Sequence, residues 1–153
     1  MDDKYIDPFL NSIFNILPQL GIANIEKSNI FVKDNKIVSP GLIIIVGILG
    51  DIKGNVIYGT SIECAKKIAE KMMMGMIVDD FNELAKSAIS ELANMVTANA
   101  ATNFFNDNMT IDISTPTLIY GDFTANASTE QVLCVELLVD KLPFYINIAL
   151  DKK

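Results

Sequence analysis

The chain has 153 residues, the size of one domain, and at that length roughly 70% of the unfolded surface can be buried without a covalent or metal staple. Half of the residues are hydrophobic, 20% are charged and the mean hydropathy is +0.33, which excludes a disordered tail or a low-complexity linker. With no His, no Arg and a net charge of −7 from 12 Lys and 19 acids, the sequence excludes His-based acid/base, nucleophile or metal chemistry, and it lacks the basic face of a nucleic-acid or anionic-membrane binder.

The N-terminus, Met1-Asp2-Asp3-Lys4, is too acidic for a signal peptide, and the longest apolar run, residues 42–49, falls far short of the ~20 residues a membrane helix needs. A soluble, cytoplasmic protein is expected. Asp7-Pro8 starts a first helix, with Phe9, Leu10, Ile13, Phe14 and Leu17 at helical spacing, and Pro18 and Gly21 close it. Residues 25–33 alternate as a strand before a turn at Asp34-Asn35. Residues 42–49 are β-branched and continuously apolar, a central strand, and the turn cluster Gly50 to Gly54 sends the chain back along residues 55–59. Thr60, with Glu63 at capping-box spacing, opens a second helix. Its apolar face is Cys64, Ala65, Ile68, Ala69, Met72 and Met76, and Gly75 lies near its end; Met72-Met73-Met74 reads as adaptable core filler.

Asp80, with Glu83 three residues on, opens the longest helix, which runs to about Phe105 or Asn106. Asp79-Asp80 reads as a cap and not a metal site, since no third acid or His stands near it. Residues 110–120 form a strand region broken at Pro116, residues 121–129 a loop, and residues 130–139 and 144–150 a closing hairpin. Cys64 and Cys134 match no metal spacing and read as small buried hydrophobes. The consecutive hairpins predict an α+β fold over residues 1–153 as a single domain: a mostly antiparallel sheet with helices packed on it. Ser39-Pro40-Gly41-Leu42-Ile43 is echoed by Thr115-Pro116-Thr117-Leu118-Ile119, with a hairpin after each, a faint internal repeat.

On the long helix, Phe81, Leu84, Ala85, Ala88, Leu92, Met95 and Val96 form the expected core stripe. The other flank is unusual. Ser87, Glu91, Asn94, Ala98 and Ala101 follow one another at spacings of three or four, with Ser90 beside them. A solvated face normally carries Lys and Glu pairs, yet Glu91 has only Ser87, Ala88, Asn94 and Met95 at helical contact spacing. One carboxylate and one carboxamide thus sit in a lane of small side chains that lets another surface approach. The E-x-x-N pattern alone is short, and Glu26-Lys27-Ser28-Asn29 repeats it in a predicted strand.

The run from Ser87 to Ala100, SAISELANMVTANA, closely resembles the signature helix of the CheC/CheX/FliY family of chemotaxis phosphatases, nearest its CheX branch. Gly50 to Gly54 followed by Val56-Ile57-Tyr58-Gly59 resembles the family's first hairpin, residues 65–76 resemble the helix before the signature, and Pro116 fits the longer pattern. Family members often have Gly where this chain has Ala98. The CheC type carries two signature helices, whereas the first predicted helix here holds no Glu, so a single site is implied and no CheD-type partner.

The resemblance implies hydrolysis of the aspartyl phosphate of a CheY-like response regulator. It makes Asn94 the residue that orients the attacking water and Glu91 the one that pairs with the regulator's active-site Lys, with Ser87, Ser90, Ala98 and Ala101 on the docking surface. It also implies a homodimer joined through sheet edges, for which the apolar strands at 42–49, 131–139 and 144–150 are the candidates. Phosphoryl transfer depends mainly on positioning and charge stabilisation, so such a protein needs no metal of its own; the regulator supplies Mg²⁺. The rival reading is a non-catalytic regulator-binding or flagellar-switch scaffold on the same fold. A more distant one is an unrelated small-molecule-binding domain.

Overall fold

The computed structural model describes residues 3–152; Met1 and Asp2 of the polar N-terminus, and Lys153, lie outside them. Helix α1 (Ile6–Gln19) leads into the long strand β1 (Ile25–Val38), the hairpin β2 (Leu42–Gly50) and β3 (Ile52–Thr60), and helix α2 (Ile62–Met72). Helix α3 (Glu83–Asn106) follows, then short strands β4 (Ile111–Ile113) and β5 (Thr117–Tyr120), and a second hairpin of β6 (Thr124–Val139) and β7 (Leu142–Lys152). All seven strands join one sheet in the order β1-β6-β7-β3-β2, with β4 and β5 both paired to β2, and every pairing is antiparallel. The two echoed segments lie side by side, with Leu42 opposite Tyr120 and Ile45 opposite Thr117.

Most of the continuous apolar run of β2 is explained by burial on both faces, although Leu49 at its end is 68% exposed. Leu42, Ile44, Val46 and Ile48 point into the main core with the three helices, while Ile43 and Ile45 point the other way. On the second face, Ile43, Ile57, Val132 and Ala149 are covered by Ile37 and Ala127. Those two come from the last turn of β1 and the first part of β6, which extend past a bulge at Asp34–Lys36. The expected turn at Asp34-Asn35 is therefore that bulge, stabilised by the Lys36 amide donating to Asp34 Oδ1 at 3.1 Å, and most of the expected loop at 121–129 is strand. The expected turn at 50–54 narrows to Asp51 between β2 and β3. The β6–β7 turn is Asp140-Lys141, both at positive φ, as a tight two-residue hairpin requires.

All three helices end in the same way. After α1, Gly21 N–H bonds to Pro18 O and Ile22 N–H to Leu17 O, a Schellman motif whose apolar partners Leu17 and Ile22 are both buried. After α2 both Met74 (φ 58) and Gly75 (φ 88) are left-handed, and after α3 Asn108 (φ 65) is. The N-caps also differ from expectation. Ser61 Oγ accepts from Cys64 N–H, which leaves Thr60 in β3 with its hydroxyl donating to Pro143 O. Asn82 Oδ1, not Asp80, accepts from Ala85 N–H and caps α3.

The core stripe of α3 is rotated from the expected one. Ala85, Ile89, Leu92, Ala93, Val96, Thr97, Ala100 and Phe104 are buried, Phe81, Ala88 and Met95 are half-buried, and Leu84 is 62% exposed. Thr97 can face inward because its hydroxyl donates to Ala93 O and pairs with Tyr58 Oη at 2.7 Å. In α2 the expected face holds through Ala69, with Met72 half-buried, while Met76 lies exposed beyond the helix and Met74 is the most exposed of the methionines named here. Cys64 and Cys134 are buried free thiols, and burial pushes the Cys134 pKa up to about 11. Among the described residues no helix is long and apolar enough to cross a membrane.

Candidate active site

The unusual flank of α3 faces solvent. Ser87, Glu91 and Ala98 are exposed, and Ser90, Asn94 and Ala101 are half-buried. The residues that pin α3 lie on its inner side: Ser12 Oγ of α1 donates to Val96 O, and Thr97 meets Tyr58 of β3. This inner anchoring fixes the rotation of α3, and with it the outward direction of Glu91 and Asn94.

Across from that flank runs the segment between β4 and β5. Ser114 fastens it to β2, its N–H donating to Gly47 O at 2.9 Å and its Oγ accepting from Gly47 N–H at 2.8 Å. Thr115, Pro116 and Leu118 then form the far wall of an open groove of about 510 Å³. The α3 side of this groove is Glu83, Lys86, Ser87, Ser90, Glu91 and Asn94. Of the predicted residues the structure thus brings Ser87, Ser90, Glu91, Asn94 and Pro116 together. Ala98 and Ala101 continue the same flank but do not line the groove, and Ala101 packs partly against the main core.

Glu83, Lys86, Thr115 and Leu118 were not anticipated as lining. Thr115 and Leu118 reach the groove through the pairing of β5 with β2, which no local pattern encodes. Lys86 is the one basic residue of the lining, and it is already engaged: Nζ lies 3.2 Å from Glu83 Oε1 and 4.2 Å from the centre of the Tyr120 ring. The hydrogen bond to Glu83 raises the Lys86 pKa above its ordinary value. Among the described residues, Glu91 makes no ion pair, and neither its carboxylate nor the Asn94 amide has a side-chain hydrogen bond. The groove therefore offers an unpaired anion, an uncommitted amide donor and acceptor, and two hydroxyls, all on a rigid helix. No three His, Cys, Asp or Glu side chains among the described residues gather into a metal-holding group.

Known proteins share this fold. The family model for the chemotaxis phosphatase CheX matches residues 42–138, from β2 to the end of β6, including all of α3. The CheY-P phosphatase CheX of Thermotoga maritima is 33% identical over 122 residues, 79% of this chain and 78% of that protein. Among solved structures, a chemotaxis protein CheX from Desulfovibrio desulfuricans superposes with a TM-score of 0.87 at 23% identity, covering 97% of this chain and 99% of that one. The CheX of the CheX–CheY–BeF3–Mg²⁺ complex from Borrelia burgdorferi superposes with a TM-score of 0.81 at 28% identity, over 97% of this chain and 98% of that one. That family model spans more than half of the chain, α3 with its outward Glu91 and Asn94 included, and with the 33% identity to the Thermotoga protein this makes the chain a member of the chemotaxis phosphatase CheX family.

Proposed function

We propose that the groove receives the phosphorylated active site of a CheY-like response regulator, with Asn94 acting on the attacking water and Glu91 on the docking. The protein is a response-regulator phosphatase that hydrolyses the aspartyl phosphate and so ends the signal. The observation that carries this reading is the pairing of an unengaged carboxylate and an unengaged carboxamide one helical turn apart, in one open groove. The Asn94 amide can accept from water and donate to a phosphoryl oxygen without titrating. Glu91 makes a charge-assisted hydrogen bond to a Lys of the regulator. Ser87 and Ser90 border the pair, and Ala98 and Ala101 leave room for the regulator beyond it. The phosphoryl group and Mg²⁺ both belong to the regulator, in keeping with a chain that contributes position and charge. The reaction takes place in the cytoplasm, consistent with the two unpaired thiols. Loss of phosphate from a phosphorylated regulator on adding this protein, against the regulator's own decay, tests the assignment; an unchanged decay with every candidate regulator favours the scaffold reading.

Glu91→Gln keeps the shape of the side chain and removes its charge. It should weaken regulator binding, with a loss that shrinks as salt screens the wild-type advantage. Titrations at low and high ionic strength check this, and a salt-independent loss would remove the charge-pairing role.

The protein is also proposed to be a homodimer, but through a different strand from those expected. Strands β2, β6 and β7 are interior, while among the described residues β1 pairs only with β6 and leaves its outer edge open. Along β1, Ile30, Phe31 and Val32 are exposed, an edge that an isologous two-fold partner would cover. Sedimentation at micromolar concentration should show a dimer; monomer alone excludes it.

A further inference from the structure

The far wall of the groove is weakly attached. Strand β5 has four residues and pairs only with β2, so between Ser114 and Tyr120 the wall at 115–118 has one sheet neighbour. Leu118 packs partly against the main core, and Tyr120 reaches the site helix from beyond it. The Phe81 ring, just before α3, meets the Tyr120 ring edge-on, with centroids 6.2 Å apart and planes at 72°. Lys86 Nζ lies 4.2 Å from the centre of the same ring and 3.2 Å from Glu83 Oε1. The Lys86 side chain is only 21% exposed although it is a lysine on the rim of an open groove. Its stem lies along the groove rim, as lysine stems commonly do, with the ammonium at the surface. Here an aromatic face and a carboxylate hold it in one place, on the helix that carries Glu91 and Asn94.

We propose that Lys86 and Tyr120 form a clasp that holds the 115–118 wall against α3 and so sets the groove width at which a phosphorylated regulator docks. Both are positioning residues. The clasp has a second effect, since it occupies the lining's lysine and leaves Glu91 for the partner. Opening it lowers the fraction of molecules whose groove is ready, which raises the apparent dissociation constant without altering the step that follows docking. This inference rests on the phosphatase reading for its kinetic consequence, but not for the clasp itself.

The test uses the full chain and four single variants. Lys86→Met keeps the stem and removes the charge; Tyr120→Ala removes the ring. Lys86→Arg and Tyr120→Phe keep a cation over an aromatic face and serve as conservative rescues. In the free protein, amide hydrogen exchange at residues 117–120 should quicken in Lys86→Met and Tyr120→Ala and stay as wild type in the two rescues. With phosphorylated regulator, the first two should raise KM roughly fivefold, the scale of one lost cation–π contact, and leave kcat within about twofold. The double variant Lys86→Met, Tyr120→Ala should be no worse than either single one, because a broken clasp cannot break twice. Unchanged exchange in Tyr120→Ala overturns the clasp. So does a KM that rises in Lys86→Met but not in Tyr120→Ala, which would make Lys86 a direct contact to an acidic group of the partner. Additive losses in the double variant overturn it as well. If wild type fails to dephosphorylate any regulator, the phosphatase reading falls, and the exchange measurement alone decides the clasp.

Discussion

Asn94→Ala should lower the maximal dephosphorylation rate by roughly 10²-fold, the scale of misplacing a reacting group, and leave regulator binding nearly unchanged. The structure makes this variant a clean probe. Asn94 is half-buried on the outer flank of α3, and its amide has no hydrogen-bond partner among the described residues, so truncation leaves no group stranded. An interaction realised only in the transition state is expected to appear in kcat and not in the binding constant. Asn94→Asp is the sharper version. It keeps the shape, cannot donate when ionised, and puts an anion beside the phosphoryl group. It should be as poor as Ala. Single-turnover decay of a phosphorylated regulator at saturating protein measures both. Wild-type turnover in the combined Glu91→Ala, Asn94→Ala variant would sink the assignment, since the rest of the lining is two serines, a clasped Lys86 with its Glu83, and the wall.

Whether a feature could be read from the sequence follows from the range of the interactions behind it. The run at 42–49 was legible as a central strand because β2 is covered on both faces over residues 42–46, which writes apolar residues there without alternation. The first two helix stops were legible because Gly21 and Gly75 both adopt the left-handed backbone that ends a helix, although Met74 shares that conformation beside Gly75. The cap of α3 was ambiguous because Asp79, Asp80 and Asn82 can all cap, and only the position of the helix on the core chooses Asn82.

The same helix explains the rotated wheel. Its alanines, serines and threonines give little contrast between faces, so Leu84 was placed inside and Thr97 was not, whereas the Tyr58 hydroxyl decides for Thr97. The outer flank survived this error, because the absence of partners around Glu91 is a property of α3 alone. The opposite wall did not share that legibility. Thr115, Leu118 and Tyr120 meet Lys86 and Glu91 only through the register of β5 on β2, a long-range fact. Sheet edges are equally long-range, which is why the edges fall to β1 and to the short β4 and β5, and not to β2, β6 or β7.

Ala98→Leu should abolish dephosphorylation while leaving the fold intact. Ala98 is exposed, one turn beyond Asn94 on the same flank, and it makes no part of the core. Leu is a good helix former, so stability should change by less than about 0.5 kcal/mol. What changes is the height of the surface. A partner that must lower its phosphoryl group onto Asn94 meets a branched side chain where a methyl stood, and the reacting atoms are held apart. The loss should therefore appear as failure to bind, in contrast to Asn94→Ala, where binding persists and turnover fails. Thermal melting and a binding titration on the same sample separate the outcomes. A variant that melts early would mean that Ala98 is packed in solution. One that melts normally and keeps full activity would move the docking surface off this end of α3, toward Ser87 and the wall at Pro116.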